Sequence, residues 1–193
     1  MRCPACEHEN PSDAAFCGEC AAPMVRGQVM ANYQNSNTGV EIYGISADDL
    51  FTIPRIASPL DSYGMLSDFG KGIAIGSGVA RELGVTIGDK TRLISPNGTR
   101  TAFGTSPRVS AYEVTYIFTA GRWDIDRTRI YMPFAEAQRY FNREGVADEL
   151  EVMVEHPETV DSLSGALMAA AGERALIWTW RDASGAFLRA LDI

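Results

Sequence analysis

Beyond residue 20 the chain has no cysteine, and over its whole length it has only two histidines, His8 and His156. Any thiolate chemistry is therefore confined to the first 20 residues. The two imidazoles stand far apart and outside any nucleophile motif. No apolar run approaches the roughly 18–20 residues that a membrane span requires. The most apolar segment, Leu163–Trp180, is interrupted by Glu173 and Arg174. Basic clusters are missing too: the 17 Lys and Arg form no dense run, and the net charge is −8. That balance argues against a phosphate-binding surface and so against nucleic acid as a partner. The opening residues, Met1-Arg-Cys-Pro-Ala-Cys-Glu-His8, lack the apolar stretch of a secretory signal. Read as it stands, the chain is soluble, carries no export address and would be cytoplasmic.

A nucleophile with a base and an orienting group is also missing. His156 precedes Pro157 at an expected helix start, where capping or solvent exposure accounts for it. Asp124 and Asp126 flank a turn with arginines nearby and read as surface ion pairs. Gly76-Ser77-Gly78 sits between a strand and a helix but lacks the lysine and spacing of a P-loop. The reading is non-enzymatic.

What the chain does have is 193 residues with 46% hydrophobic and 22% charged content, enough for one domain and a small module. The small module is signalled by Cys3-x-x-Cys6 and Cys17-x-x-Cys20, ten residues apart. Two such knuckles bring four thiolates around one tetrahedral Zn²⁺, a closed structural site. The string also resembles the bacterial zinc-ribbon pattern, with Pro4, Asn10-Pro11 and Phe16 in place. Residues 1–22 are expected to fold around that metal. Two disulfides or a redox C-x-x-C pair are the competing readings, the first weakened by the paired spacing and the second by the missing βαβ context. Residues 23–24 are expected as a linker and 25–193 as the main domain.

In that domain Val25–Tyr33 and Val40–Ser46 read as a hairpin, with Ala47–Phe51 as one helical turn. Ile56–Lys71 shows no periodicity and is expected as a long connection. Ile73–Ile75 is a buried strand, Ser77–Leu83 a helix stopped by Gly84, and Lys90–Ser95 a strand. Strands are expected at Tyr112–Phe118, Arg129–Met132, Glu149–Val154 and Ala175–Trp180, and a polar turn at Gly121–Arg127. Helices are expected at Phe134–Phe141, from Pro157 to Gly172, and over Ser184–Leu191. Trp178 and Trp180 alternate along the last strand, which points both into a core or interface. The class is α+β: mainly antiparallel sheets with packed helices.

One stretch stands apart. Ala102, Phe103, Gly104, Thr105, Ser106, Pro107 and Arg108 read as a loop ahead of a strand, because Gly104 permits positive φ and Pro107 removes a ladder donor. A phenylalanine at such a tip needs cover, from its own domain or from another protein. The run Leu93-Ile-Ser-Pro-Asn-Gly-Thr-Arg-Thr-Ala-Phe-Gly-Thr-Ser-Pro-Arg-Val109 and then Val114-Thr-Tyr-Ile-Phe118 resembles LolC-type permease subunits of the lipoprotein-releasing ABC transporter, relatives of MacB and FtsX. Gly72–Ser77, Leu83-Gly-Val-Thr-Ile-Gly-Asp89, Ile130–Pro133, Ala135–Gln138 and, at the ending, Trp180–Asp182 and Phe187–Leu191 resemble the same family.

The resemblance implies the following. Residues 25–193 would be a periplasmic domain at the inner membrane, incomplete on its N-terminal side and cut from its membrane helices. Residues 101–110 would form a protruding hairpin, a hook that captures the carrier protein LolA for lipoprotein transfer. A LolD ATPase and a LolE-type permease would be partners, with lipoproteins as cargo. Val109 and Ser110 depart from the polar, partly basic patch that this family carries beside its hook, and Arg108 is the candidate substitute. The zinc ribbon is foreign to the family, and a cytosolic zinc-ribbon adaptor with a reused α+β domain is the competing reading.

Overall fold

The computed structural model describes residues 9, 21–101, 104–154, 156–172 and 175–185. Cys3, Cys6, Cys17, Cys20, Ala102 and Phe103 lie outside them, as does the last expected helix beyond residue 185. The chain divides into two compact units, Ala22–Leu150 and a second made of Met1–Ala21 with Glu151–Ile193.

The first unit is built on β1 (Ala21–Tyr33) and β2 (Ser36–Ile45), an antiparallel hairpin turned at Gln34, whose φ of 50° is left-handed. Pro23 and Met24, expected as a linker, are part of β1. Ser46 caps α1 (Ala47–Thr52) by accepting from the Asp49 N–H at 3.0 Å, and Pro54 opens α2 (Pro54–Ala57). β3 (Asp61–Gly64) and a 3₁₀ turn (Leu66–Lys71) occupy the stretch expected to be irregular. Next come β4 (Ile73–Gly76), α3 (Ser77–Leu83), β5 (Lys90–Thr101) and β6 (Gly104–Thr119). Gly84 ends α3 with φ 73°, the cap that the sequence signals.

α4 (Trp123–Thr128) replaces the expected polar turn. Its single buried residue, Ile125, gives no helical period to read. Asp126 makes the entry by accepting from the Ala120 and Gly121 N–H groups at 2.7 and 3.1 Å. Asp124 does form the expected surface pair, with Arg122 at 2.7 Å. β7 (Arg129–Pro133), α5 (Phe134–Phe141) and β8 (Glu149–Val152) follow; α5 ends at Asn142 with φ 55°.

Instead of several sheets there is one, and its pairings return to their start. The path runs β1-β2-β7-β4-β6-β5 and back to β1, a barrel-like closure with β3 attached to β6 and β8 to β1. β2–β7 and β4–β6 are parallel, whereas β1–β2, β1–β5, β4–β7, β5–β6 and β3–β6 are antiparallel. Alternation divides the strands between two cores. Val29, Val40, Ile42, Ile73, Ile75, Ile130 and Met132 pack with Val79 and Leu83 of α3 and Tyr140 of α5. Tyr43, Ile45, Ala74, Tyr116, Phe118 and Tyr131 pack with Leu50, Ile56, Phe69 and Ile125.

A polar knot closes the β1–β2 side. Arg26 reaches Glu41 at 2.7 Å and Glu149 at 3.1 Å, while the Tyr43 hydroxyl donates to Glu41 at 2.8 Å. Burial disfavours the Glu41 charge, but Arg26 and Tyr43 more than offset it and hold its pKa below the usual carboxylate range.

In the second unit a 3₁₀ turn (Pro157–Thr159) leads into α6 (Val160–Ala171), ended at Gly172. Ala175–Trp180 is not a strand, and no strand pairs with it among the described residues. Thr179 instead caps α7 (Trp180–Ala183) in a reciprocal capping box with Asp182. Trp178 is 76% exposed, and the Trp180 indole donates to the Pro157 carbonyl at 2.7 Å. The alternation of the two tryptophans therefore does not mark a core.

Gly76-Ser77-Gly78 is a packing device. A Cβ at Gly76 would lie 2.3 Å from the Asp126 carbonyl oxygen, and one at Gly78 2.5 Å from Arg127 Cγ. Gly76→Ala is expected to destabilise the protein by about 1–3 kcal/mol in denaturant titration, because backbone must yield. Gly39→Ala, with nothing within 4 Å of its Cβ, is expected to leave the midpoint nearly unchanged.

Candidate partner-binding hairpin

β5 and β6 pair in two segments. Lys90 to Ser95 face Glu113 to Arg108, and Thr99 to Thr101 face Ser106 to Gly104. The loop expected over Ala102–Arg108 is therefore not a loop: β6 starts at Gly104, and only Ala102 and Phe103 connect the strands. The reason is visible opposite Pro107. Proline cannot donate to the ladder, and the register shifts between Ser95 and Thr99, so that Pro96, Asn97 and Gly98 together face it. Gly98 fits because it has no side chain, since a Cβ there would sit 1.9 Å from the Ser106 carbonyl oxygen. A break in pairing at one residue had suggested that the strands part; the bulge keeps them together.

The structure gives Arg108 a place within the domain. Its guanidinium donates to the Tyr140 carbonyl at 2.9 Å, to the Arg139 carbonyl and to Asn142 Oδ1 at 2.6 Å. These are the terminal acceptors of α5, where a cation is favoured by the helix dipole. Two residues along the same face as Ser110, Tyr112 donates to Glu136 Oε1 at 3.0 Å and meets the Tyr140 ring edge-on at 6.0 Å. Burial pushes the Tyr140 phenol up to about 12, against the opposing pull of Arg108. Ser106, Pro107 and Val109 are exposed on the hairpin, Val109 by 55%.

The other end of β5 is fixed by Leu83-Gly-Val-Thr-Ile-Gly-Asp89. Gly88 takes φ 89°, and Asp89 accepts from the Thr86 N–H at 2.8 Å and from the Tyr33 hydroxyl at 2.8 Å. Its backbone continues the ladder: Val114 N–H donates to the Asp89 carbonyl and Gly88 N–H to the Val114 carbonyl, both at 2.9 Å. The turn is the most legible motif of this site in the sequence, and its tie to Tyr33 is not, because 56 residues separate the two.

The chain matches the MacB-like periplasmic core domain over residues 11–170. It belongs to that family. It is also 22% identical over 178 residues to the lipoprotein-releasing system transmembrane protein LolC of Neisseria meningitidis serogroup B. That alignment covers 90% of this chain and 42% of the relative, so the chain spans less than half of that protein's length. Among solved structures, the periplasmic region of MacB from Actinobacillus actinomycetemcomitans aligns with TM-score 0.49 and 12% identity, over 89% of this chain and 75% of that one. The extracellular domain of the noncanonic ABC-type transporter YknZ from Gram-positive bacteria gives TM-score 0.46 and 18% identity, over 75% and 69%.

Of the site residues expected from sequence, this MacB-like domain places Gly104, Thr105 and Ser106 in the rungs beyond the bulge, Pro107 at the bulge and Arg108 on α5. No group of three or more potential metal ligands occurs among the described residues, which exclude the four cysteines. Cavities open both away from the hairpin and at its base. One of about 390 Å³ opens between α3 and α4, and one of about 610 Å³ is lined by Met30, Ile94, Pro96, Pro107 and their neighbours at the base of the hairpin.

The Asp89 tie carries a pH dependence. The Thr86 backbone N–H, then the Tyr33 hydroxyl, hold the Asp89 carboxyl below its ordinary value. A depressed folded-state pKa gives stability that is present above the unfolded value near 4 and is lost as pH falls through the folded one. Urea midpoints are therefore expected to drop between about pH 5 and pH 3. Asp89→Asn is expected to start lower at pH 7 and to show a shallower acid drop.

Proposed function

We propose that this domain is the extracytoplasmic part of a permease subunit in an ABC transporter, a binding module without chemistry of its own. A separate ATPase supplies the energy and a second permease completes the complex. Within that class we read it as LolC-type: the tip of the β5–β6 hairpin captures LolA for transfer of lipoproteins to the outer membrane. The observation that carries the reading is the hairpin itself, two long strands joined by Ala102 and Phe103 alone. Family membership and the LolC relative support it.

In this reading Phe103 enters an apolar lip on the carrier. Burying one phenylalanine contributes about 1.5–3 kcal/mol, enough to dominate a small interface. Because Arg108 serves α5, contact with acidic groups of the carrier falls to the rungs around Gly104–Ser106. Calorimetric titration of LolA from the same source into this protein is expected to give saturable binding. Phe103→Asp is expected to weaken it at least tenfold while the thermal unfolding midpoint stays within about 2 °C. Unaltered binding by the folded variant would remove the assignment of the tip.

The paired C-x-x-C knuckles favour a second element: Cys3, Cys6, Cys17 and Cys20 hold one structural Zn²⁺. Elemental analysis of protein purified without chelator is expected to give about one zinc per chain by this four-thiolate stoichiometry. Cys17→Ser is expected to abolish it. Zinc retained in cytosol together with no LolA binding would favour the adaptor reading over the permease one.

A further inference from the structure

We propose that the outer edge of β3 is a second docking site, which takes an extended, alternating basic and apolar segment of a partner protein as an added strand. This rests on β3 and its surroundings, independently of any role of the hairpin tip.

The sheet closes nearly everywhere, and closure removes free edges. β3 escapes it. It pairs with β6 alone, Asp61 to Gly64 facing Thr119 to Tyr116, and no strand lies on its other side among the described residues. The Ser62 N–H is not spent on β6; it donates to the neighbouring Asp61 Oδ1 at 2.9 Å, a bond that an incoming carbonyl can replace. All four residues of the strand are exposed.

Three features define the occupant. The first is the ladder, whose groups are satisfied by another extended backbone and by nothing globular. The second is the apolar surround: Leu60, Tyr63 and Met65 are 77%, 59% and 63% exposed within six residues. Ile87 joins them, its Cδ1 lying 2.9 Å from where a Gly64 Cβ would be. Scattered single residues of this kind are ordinary, but a cluster along an open edge marks an interaction surface. The third is charge. Asp61 has no cationic partner among the described residues, so a Lys or Arg on the added strand meets an unpaired carboxylate. Lys71 and Arg122, by contrast, already pair with Asp68 and Asp124.

The site is remote from the hairpin tip. Gly104 and Tyr116 are twelve residues apart on β6, about 40 Å at strand rise. One partner at each end of that strand is therefore sterically compatible.

The test uses the full chain and a blocked peptide, Lys-Val-Thr-Val-Lys-Val-Thr-Val-Lys, with a counterpart bearing Glu for every Lys. Fluorescence anisotropy is expected to show binding of the basic peptide at least tenfold tighter than the acidic one. Asp61→Lys is expected to reverse that order. Ser62→Pro, which removes the outward donor, is expected to weaken the basic peptide at least tenfold. Should Ser62→Pro fail to fold, amide exchange on the unaltered protein decides: the basic peptide must slow Ser62 and Gly64. Equal binding of the two peptides, or slowed exchange confined to other segments, overturns the proposal. So does edge protection that rises with protein concentration without peptide, because the occupant is then a second copy of the chain.

Discussion

Everything in the larger unit depends on β6 being shared. Its 16 residues carry β5 along the first part, and β4 and β3 on either side of the last part. The changeover falls at Val114, where Gly88 and Asp89 supply the bonds between the end of one neighbour and the start of the next. A strand so placed need not alternate where both faces are covered. The run Val114-Thr-Tyr-Ile-Phe118 is buried throughout, with Thr115 tolerated because its hydroxyl reaches the Ile73 carbonyl. From Glu113 down to Ser106 the residues are exposed or half-buried, and the strand passes from core element to surface hairpin without a break.

That passage is held by polar ties and not by apolar burial. Arg108 and Tyr112 fasten the hairpin to α5, Tyr33 fastens the Asp89 turn to β1, and Arg26 gathers Glu41 and Glu149. Single exposed ion pairs contribute little. These differ because each joins segments distant in sequence and involves a partly buried aromatic ring, as where the Arg26 guanidinium lies 5.1 Å over the Tyr43 ring. They set orientation more than stability: each fixes where a strand enters or leaves the closed sheet.

Local chemistry made much of this legible. The Gly84 cap, the Ser46 cap and the β-branched strands announce themselves because each is decided within a few residues. The α+β class follows from those elements. Closure did not, since β1–β5 and β2–β7 pairings join residues that no local pattern links. Two of the misreadings can be traced to particular residues. Pro107 looks like the end of a strand only when its bulged partner at Pro96–Gly98 is unseen, and Ile-Trp-Thr-Trp looks like a strand only when the capping chemistry of Thr179 and Asp182 is discounted. In the first a partner strand overruled the residue's own preference, and in the second a capping box between Thr179 and Asp182 did so. The hairpin tip belongs to a different case: Ala102 and Phe103 lie outside the described residues and were singled out by an expected loop and by resemblance.

A closed sheet also dictates where recognition can occur. Strands inside the ring have both ladder edges occupied, so their backbone offers a partner nothing, and their outward side chains are covered by α1, α2, α4 and the 3₁₀ turn. Binding then falls to strands that leave the ring. Among the described residues these are the rungs of β5 and β6 beyond the Pro107 bulge, β8 at the side of β1, and β3. The first presents a tip, which suits capture of an apolar pocket on another protein. The last presents an edge, which suits an extended chain. A domain that used one surface for both would have to release one partner to engage the other. The proposed tip and the proposed edge lie at opposite ends of β6, so that competition does not arise.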